Sequence, residues 1–392
     1  SNNVKNTRNY DRDARRKVRK IRIADIFNTD YGAYRLLRTR VQKINMDDRF
    51  ENYIVCPPGE WSDKMKSQGL RVVNANLSNS LNPVEIAKEI KELEKVLTEY
   101  KTDVVHTHTS KPGATGRIAA KRVGVPLVIH QVHGFYFSGQ KGLKKWLFEE
   151  AEKFLAKYCD VMLFQNHEEY EYSLNNGSFR KVQLVYIGNG IPFEEFSMYL
   201  GKVRKYNTGK KRIACVARLE PVKNHKMLFE AIRYLIDKYN YKDFELNLYG
   251  DGEEREKLER TAQLLGIKEF VHFFGNLDRP DMIRELYNSD LSVLTSYKEG
   301  KPRALMESSA LGVPIVATNV VGTREVVKDG KTGYLVSLDD YMSFAECMYS
   351  LLTDPQKCQE FSEDARTVAK KEFDENAIVN KLKELYLSVK FR

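Results

Sequence analysis

Two carboxylates and a helix start share one short run of this chain: Tyr297-Lys298-Glu299-Gly300-Lys301-Pro302-Arg303-Ala304-Leu305-Met306-Glu307. Seven residues separate Glu299 from Glu307. Leu291, Val293 and Leu294 read as a buried strand leading into the run. Gly300 and Pro302 then break the backbone and set up a helix with Pro302 in its first turn, where a missing N–H costs nothing. That helix should end at Gly312, and Pro314-Ile315-Val316-Ala317 should begin the next strand. One place thus receives a carboxylate, a glycine and a helix N-terminus, whose free N–H groups favour a phosphate. The plainer reading is a solvated helix face whose N-terminal acid answers the dipole.

Arg218 and Lys223, in Ala217-Arg218-Leu219-Glu220-Pro221-Val222-Lys223-Asn224, sit where another strand passes into a helix. Arginine offers a planar fork and lysine a point charge, a pair suited to a diphosphate; two surface cations of a basic protein are the alternative. Histidines cluster in His106-Thr107-His108 and in Gln131-Val132-His133-Gly134-Phe135, both just past strands, where open α/β sheets bind ligands. His106 and His108 invite a metal, but no third ligand follows at a convincing spacing, so no metal site is expected and one of them reads as a core histidine. His133 in the bland reading is a buried ring bonded to a loop carbonyl. Gly250-Asp251-Gly252 lacks the third glycine of a dinucleotide fingerprint, and acids follow it, which disfavours a pyrophosphate on that helix. The chain has no P-loop, G-x-S-x-G or H-E-x-x-H motif, and Asp11-Arg12-Asp13 is a coincidental acid pair in a basic arm.

The elements that must position these residues alternate. Strands are expected at 21–27, 53–56, 72–73, 104–105 and 127–129, with helices over 33–44, 62–68, 83–100 and 113–123 between them. Asn82-Pro83 supplies an N-cap and an N1 proline. A helix over 144–158 carries Leu143, Leu147, Ala151, Phe154, Leu155 and Tyr158 on a stripe read as core. Trp146 with Lys141, Lys144 and Lys145 lies off it, as a solvated face or as a contact for lipid headgroups. The pattern restarts with strands 212–216, 244–249, 271–274 and 291–294, and closes with helices near 343–352, 355–371 and 377–390. Such βα repeats predict parallel, doubly wound sheets.

At 392 residues the chain exceeds one typical core, so two domains are expected. The division proposed is a basic arm (1–20), an N-terminal domain (21–192), a linker (193–210), a C-terminal domain (211–375) and a last helix (376–392) placed to pack back on the first domain. Hydrophobic residues at 42% and charged residues at 30% fit a soluble globular protein, and no apolar run approaches the roughly 20 residues that span a bilayer. The first residues lack an initiating Met and an apolar signal core, fitting a processed end. Five scattered cysteines without a Cys-x-x-Cys pair argue for a reducing compartment. A net charge of +10 implies an anionic partner: nucleic acid, an anionic membrane or a phosphorylated small molecule. The arm ending Arg15-Arg16-Lys17-Val18-Arg19-Lys20 is equally a solvated tail or a membrane-seeking patch.

The Glu-Gly-Lys-Pro-Arg-Ala-Leu-Met-Glu run, the following Leu-Gly-Val-Pro and Gly322-Thr323-Arg324-Glu325 resemble the E-x7-E segment of family 4 glycosyltransferases. The Ile187-Gly188-Asn189-Gly190-Ile191 turn, Val-His-Gly-Phe and Gly-Asp-Gly are similar to that family's wording as well. The resemblance covers nearly the whole second half and shorter segments of the first. It implies a GT-B fold, two Rossmann-like domains facing a central cleft, and a retaining, metal-independent transfer of sugar from a nucleotide-diphosphate sugar, UDP-linked first among the candidates. No cofactor is implied, since the nucleotide-sugar is a substrate. By resemblance Arg218, Lys223, Gly300, Arg303 and Ala304 hold the diphosphate, Glu307 the ribose, and Glu299 and His133 serve the sugar. Gly250, Gly275, Asn276 and Leu277 frame the nucleotide, and Gly32 and His108 belong to the acceptor loop. That loop has a single glycine where many members carry a pair. The wording is similar to bacterial enzymes that extend lipid-linked sugars for surface polysaccharides. It implies a lipid-linked saccharide acceptor and a cytoplasmic protein peripheral on the inner membrane face, with no nucleic-acid partner. A nucleotide-sugar epimerase, or a non-catalytic nucleotide-sugar-binding protein, are the alternatives.

Overall fold

The computed structural model describes residues 19–133, 141–202 and 209–391. Outside them lie the arm apart from Arg19 and Lys20, the Asp11-Arg12-Asp13 string, Gly134, Phe135 and part of the expected linker. By packing, the chain forms two units. The first holds the described residues up to Phe164, with Tyr172–Val185 and the residues from Val379 on; the second holds Gln165–Glu171 and Tyr186–Ile378. This differs from the sequence boundaries, because Gln165–Glu171 is held by side chains of the second unit. Arg324 grips Glu168 through two bonds of 2.7 and 3.0 Å, and Glu325 accepts the His167 N–H. The final helix, Glu375–Leu387, starts in the second unit and runs into the first.

In the first unit, seven described strands lie in the order β3-β2-β1-β4-β5-β6-β7. They are β1 (Ile21–Ile26), β2 (Phe50–Cys56), β3 (Val72–Asn74), β4 (Val104–His108), β5 (Leu127–Val132), β6 (Val161–Phe164) and β7 (Gln183–Tyr186). The second unit orders six described strands as β10-β9-β8-β11-β12-β13. These are β8 (Lys211–Val216), β9 (Phe244–Tyr249), β10 (Val271–Gly275), β11 (Leu291–Leu294), β12 (Ile315–Thr318) and β13 (Gly333–Val336). The described pairings between named strands are parallel. Each sheet reverses its winding once, between β1 and β4 and between β8 and β11, and a crevice opens past the strand ends at such a point.

Period-two alternation explains the layers of the second unit. Ile213, Cys215, Leu291 and Val293 join one apolar cluster, while Ala214, Leu294, Ile315 and Ala317 join another. The helix Pro83–Glu99 begins as expected, with the Asn82 side chain accepting from the Val84 N–H at 2.9 Å. Pro302 precedes the helix Arg303–Ala310 as its N-cap instead of entering its first turn.

The expected core stripe of the helix Gly142–Leu155 is a correction. Leu143, Leu147 and Phe154 are exposed, as is Trp146, and the face turned inward carries the buried Glu152 beside the fully buried Arg117. An internal ion pair occupies the side that an amphipathic reading reserves for apolar residues.

Candidate active site

Lys223 and Glu299 meet at the β8–β11 reversal. Lys223 Nζ lies 2.6 Å from Glu299 Oε1, and the Ser296 hydroxyl donates to the same oxygen at 2.7 Å. The backbone makes this meeting. Past β8 the chain turns at Asn224 (φ +50°) into the helix His225–Tyr239, and the Thr295 hydroxyl past β11 donates to the Asn224 carbonyl at 2.8 Å. The Tyr297 N–H reaches the Val222 carbonyl at 2.9 Å. Two strand ends are thereby stitched with a cation on one and a carboxylate on the other.

The helix Arg303–Ala310 follows at once. Glu307, buried, accepts from Arg303 Nε at 3.1 Å and Arg279 Nη1 at 2.9 Å. Two guanidiniums thus fix the acid expected to meet a ribose, and Arg279 is a partner that the sequence reading missed. Lys301 is buried too; its ammonium donates to the Asn189 carbonyl at 3.1 Å and lies 5.0 Å from the Phe373 ring centre. That bond ties the Asn-Gly-Ile turn to the acidic run.

Arg218 lies two residues past the end of β8. Its guanidinium pairs with Glu220 at 2.7 Å and the side chain is 69% exposed. The glycines around it serve close packing. A side chain at Gly250 would collide with the Ala217 carbonyl, one at Gly252 with the Leu219 carbonyl, and one at Gly322 with the Gly300 and Glu299 carbonyls. Gly275, with φ +70°, accepts the Gly250 N–H at 2.8 Å, Asn276 is exposed, and Leu277 packs on the apolar cluster below.

In the first unit, parity along the strands gathers a second polar group. Asp25 on β1 stands beside His106 on β4, and His108 beside Gln131 on β5. Residues two apart share a face, so Asp25, His106, His108, Gln131 and His133 converge. Arg40, from the helix Asp30–Asn45, donates to Asp25 at 2.8 Å and to Gln131 at 3.3 Å. Burial would raise the Asp25 carboxyl, but Arg40, His106 and His108 outweigh it and hold it well below the usual carboxylate range. Burial also keeps the imidazoles neutral, pushing His106 down to about 4 and His133, with Arg40 and His106 adding to the effect, to about 3.

These states fix every proton in the chain of bonds. An ionised Asp25 only accepts, so His108 Nε2, 2.7 Å away, donates. His108 Nδ1 is then an acceptor, and His133 Nε2 donates to it across 2.9 Å. His133 therefore carries its lone pair on Nδ1. His106 Nε2 donates to Gln131 Oε1 at 2.8 Å, and its Nδ1 accepts from the Tyr386 hydroxyl at 2.7 Å. Asp25 is the third potential ligand that the search for a metal partner to His106 and His108 did not find; the three offer ligand atoms within 4.8 Å of one another. A cation there would have to break these bonds and sit beside Arg40, which the charges oppose. Gly32 lies in the first turn of its helix, its N–H on the Thr29 hydroxyl at 3.0 Å, where a side chain would strike Phe27. The Phe27 ring stacks on His108 at 5.7 Å.

Residues 201–368 match the family model described as glycosyl transferases group 1, and residues 47–190 match the glycosyl transferase 4-like domain. A UDP-Gal:alpha-D-GlcNAc-diphosphoundecaprenol alpha-1,3-galactosyltransferase of Escherichia coli is 30% identical over 352 residues, covering 88% of this chain and 90% of that one. An N,N'-diacetylbacillosaminyl-diphospho-undecaprenol alpha-1,3-N-acetylgalactosaminyltransferase of Campylobacter jejuni is 27% identical over 363 residues, covering 89% and 94%. Among solved structures, the Anabaena protein HepE in complex with UDP and glucose superposes with a TM-score of 0.77 at 18% identity, covering 94% of this chain and all (100%) of that one. At that identity the likeness speaks for the fold. Sequence and fold agree that this chain belongs to the family 4-like glycosyltransferases, with the GT-B pair of Rossmann-like domains.

Proposed function

We propose that this glycosyltransferase moves a sugar from a uridine-diphosphate sugar to a lipid-linked saccharide in surface polysaccharide synthesis, retaining anomeric configuration and using no bound metal. The observation that carries the reading is the Lys223–Glu299 pair at the strand reversal: a cation and a carboxylate side by side suit the two ends of a sugar–phosphate bond. Lys223, Arg218 and the N-terminus at Arg303 and Ala304 would answer the charge of the departing diphosphate, the role a metal takes elsewhere. Glu299 would hold sugar hydroxyls and favour positive charge at the anomeric carbon. His133, neutral with Nδ1 as acceptor, would accept a hydrogen bond from a hydroxyl of the donor sugar, as the family resemblance implies. The donor is inferred from the E. coli relative, named for UDP-Gal, and from the UDP complex of HepE. The acceptor is inferred from the diphosphoundecaprenol-linked saccharides in the names of two relatives. Such an acceptor would put the work at the inner membrane face.

Calorimetry with UDP, UDP-sugars and GDP-sugars tests the donor, with UDP-sugar expected to bind more tightly than free sugar. Absence of binding to any nucleotide diphosphate would overturn the reading. A transfer assay in EDTA on a diphosphate-linked lipid saccharide, followed by NMR of the new linkage, tests the rest. Free sugar released without any acceptor would point to an isomerase or hydrolase, and activity restored only by Mn²⁺ would overturn metal independence.

A further inference from the structure

The helix Gly142–Leu155 presents Leu143, Trp146, Leu147 and Phe154 to solvent, exposed at 71, 55, 54 and 53%. At 100° per residue these four fall within about a third of the helix circumference and form one stripe, interrupted by the exposed Glu150, whose carboxylate is paired with Lys153. Soluble proteins expose large apolar groups singly; a stripe containing tryptophan and phenylalanine marks a contact surface. The charges around it select the partner. Lys141, Lys144, Lys145 and Lys157 are exposed and Lys153 is half-buried. Against these five lysines stand Glu149 and Glu150, both paired with Lys153 at 3.8 and 3.3 Å, while Glu152 is buried with Arg117. Lys157 lies 5.4 Å from the Phe154 ring centre, an ammonium held at the edge of the stripe. Among the described residues no helix is long and apolar enough to cross a membrane. A helix of this make-up lies in the plane of a bilayer interface, rings and leucines among the acyl chains and lysines at the headgroups.

We infer that the Gly142–Leu155 helix is a docking face for an anionic lipid bilayer, seated through Leu143, Trp146, Leu147 and Phe154 and steered by the flanking lysines. This inference stands apart from the chemistry proposed above and is tested without it.

The chain has two tryptophans, Trp61 and Trp146, so Trp61→Phe leaves Trp146 as the only reporter. With vesicles of phosphatidylglycerol its emission should shift to the blue and be quenched by brominated acyl chains, while phosphatidylcholine vesicles leave it unchanged. In sedimentation of the full chain, Trp146→Glu with Leu147→Glu should lower partitioning at least ten-fold, and Lys144→Glu with Lys145→Glu should remove most of its salt dependence. Both pairs are exposed, so circular dichroism and UDP calorimetry should stay as in the unmodified chain. Unchanged emission with both lipids would overturn the inference. So would full partitioning of the Trp146/Leu147 variant, which would assign attachment to another part of the chain. Lipid-free self-association abolished by the same variant would assign the stripe to a second copy instead.

Discussion

Lys223 and Glu299 are each other's counterion, and this makes their substitutions unequal to that of Arg218. Lys223→Ala leaves a carboxylate that is 9% exposed with the Ser296 hydroxyl as its remaining partner among the described residues, whereas Arg218→Ala frees a half-buried Glu220. Both should weaken UDP-sugar binding by about 1.5–3 kcal/mol if each makes one charge-assisted bond. In thermal denaturation Arg218→Ala should stay within about 0.5 kcal/mol of the parent, as surface changes do, and Lys223→Ala should not. Equal and negligible binding losses in calorimetry would make both residues bystanders. Glu299→Gln should retain nucleotide binding and lose transfer. Asp25 poses the sharper test in the first unit. Asp25→Asn strips Arg40 and His108 of a buried anion, and losing one partner of a buried pair costs about 3–5 kcal/mol. Urea denaturation reads that directly; a loss below about 1 kcal/mol would mean the charges are not organised around Asp25.

At the scale of elements, glycine placement decides how closely loops approach. Gly322 is the second residue of the one-turn helix Val321–Arg324 that follows β12, and its missing side chain lets that helix lie on the Glu299–Gly300 backbone. Gly322→Ala should push Glu299 off its position while leaving both cores intact. Transfer should fall at least ten-fold with the melting temperature lowered by only a few degrees, about 1 kcal/mol in a unit of this size. A variant with unchanged kcat would show that the loop gives way freely. The same contact shows what was readable beforehand. Glu299, Gly300, Glu307 and the downstream Gly-Thr-Arg-Glu were legible as a unit, and the backbone contact gives the reason they occur together. Parallel βα alternation was legible from apolar periodicity. The four-residue strands β6, β7 and β13 were not, whereas β11 and β12, equally short, were marked by the Glu-Gly-Lys-Pro and Leu-Gly-Val-Pro punctuation beside them. Asp25 escaped because it lies 81 residues before His106 in the chain, and only strand register makes them neighbours. The exposed stripe of Gly142–Leu155 misled for the opposite reason: periodicity reports that a face is apolar, not which way it turns.

Across the whole molecule, acid stability should be governed by imidazoles ahead of carboxylates. Five of the seven histidines, His106, His108, His130, His133 and His225, are held below their ordinary value chiefly by burial. Burial takes His106 and His225 down to about 4 and His133 to about 3. An unfolded chain takes up protons on these rings near pH 6.5, while the folded chain stays neutral until the pH falls to about 4 or lower. Between those limits the unfolded state binds more protons, so unfolding free energy rises with pH and is lost on acidification, by up to about 1.4 kcal/mol per pH unit for each ring. Asp25 acts in the same direction but at lower pH, since its depressed carboxyl keeps its stabilising charge until well below the usual carboxylate range. Four of the five rings belong to the first unit and His225 to the second. Calorimetry at falling pH should therefore show the transition of the first unit moving down faster than that of the second, between pH 6.5 and 5. His225→Gln should flatten the second transition and leave the first unchanged. Two transitions that fall together, or a melting profile constant from pH 7 to 5, would show that these rings are protonated in the folded chain after all.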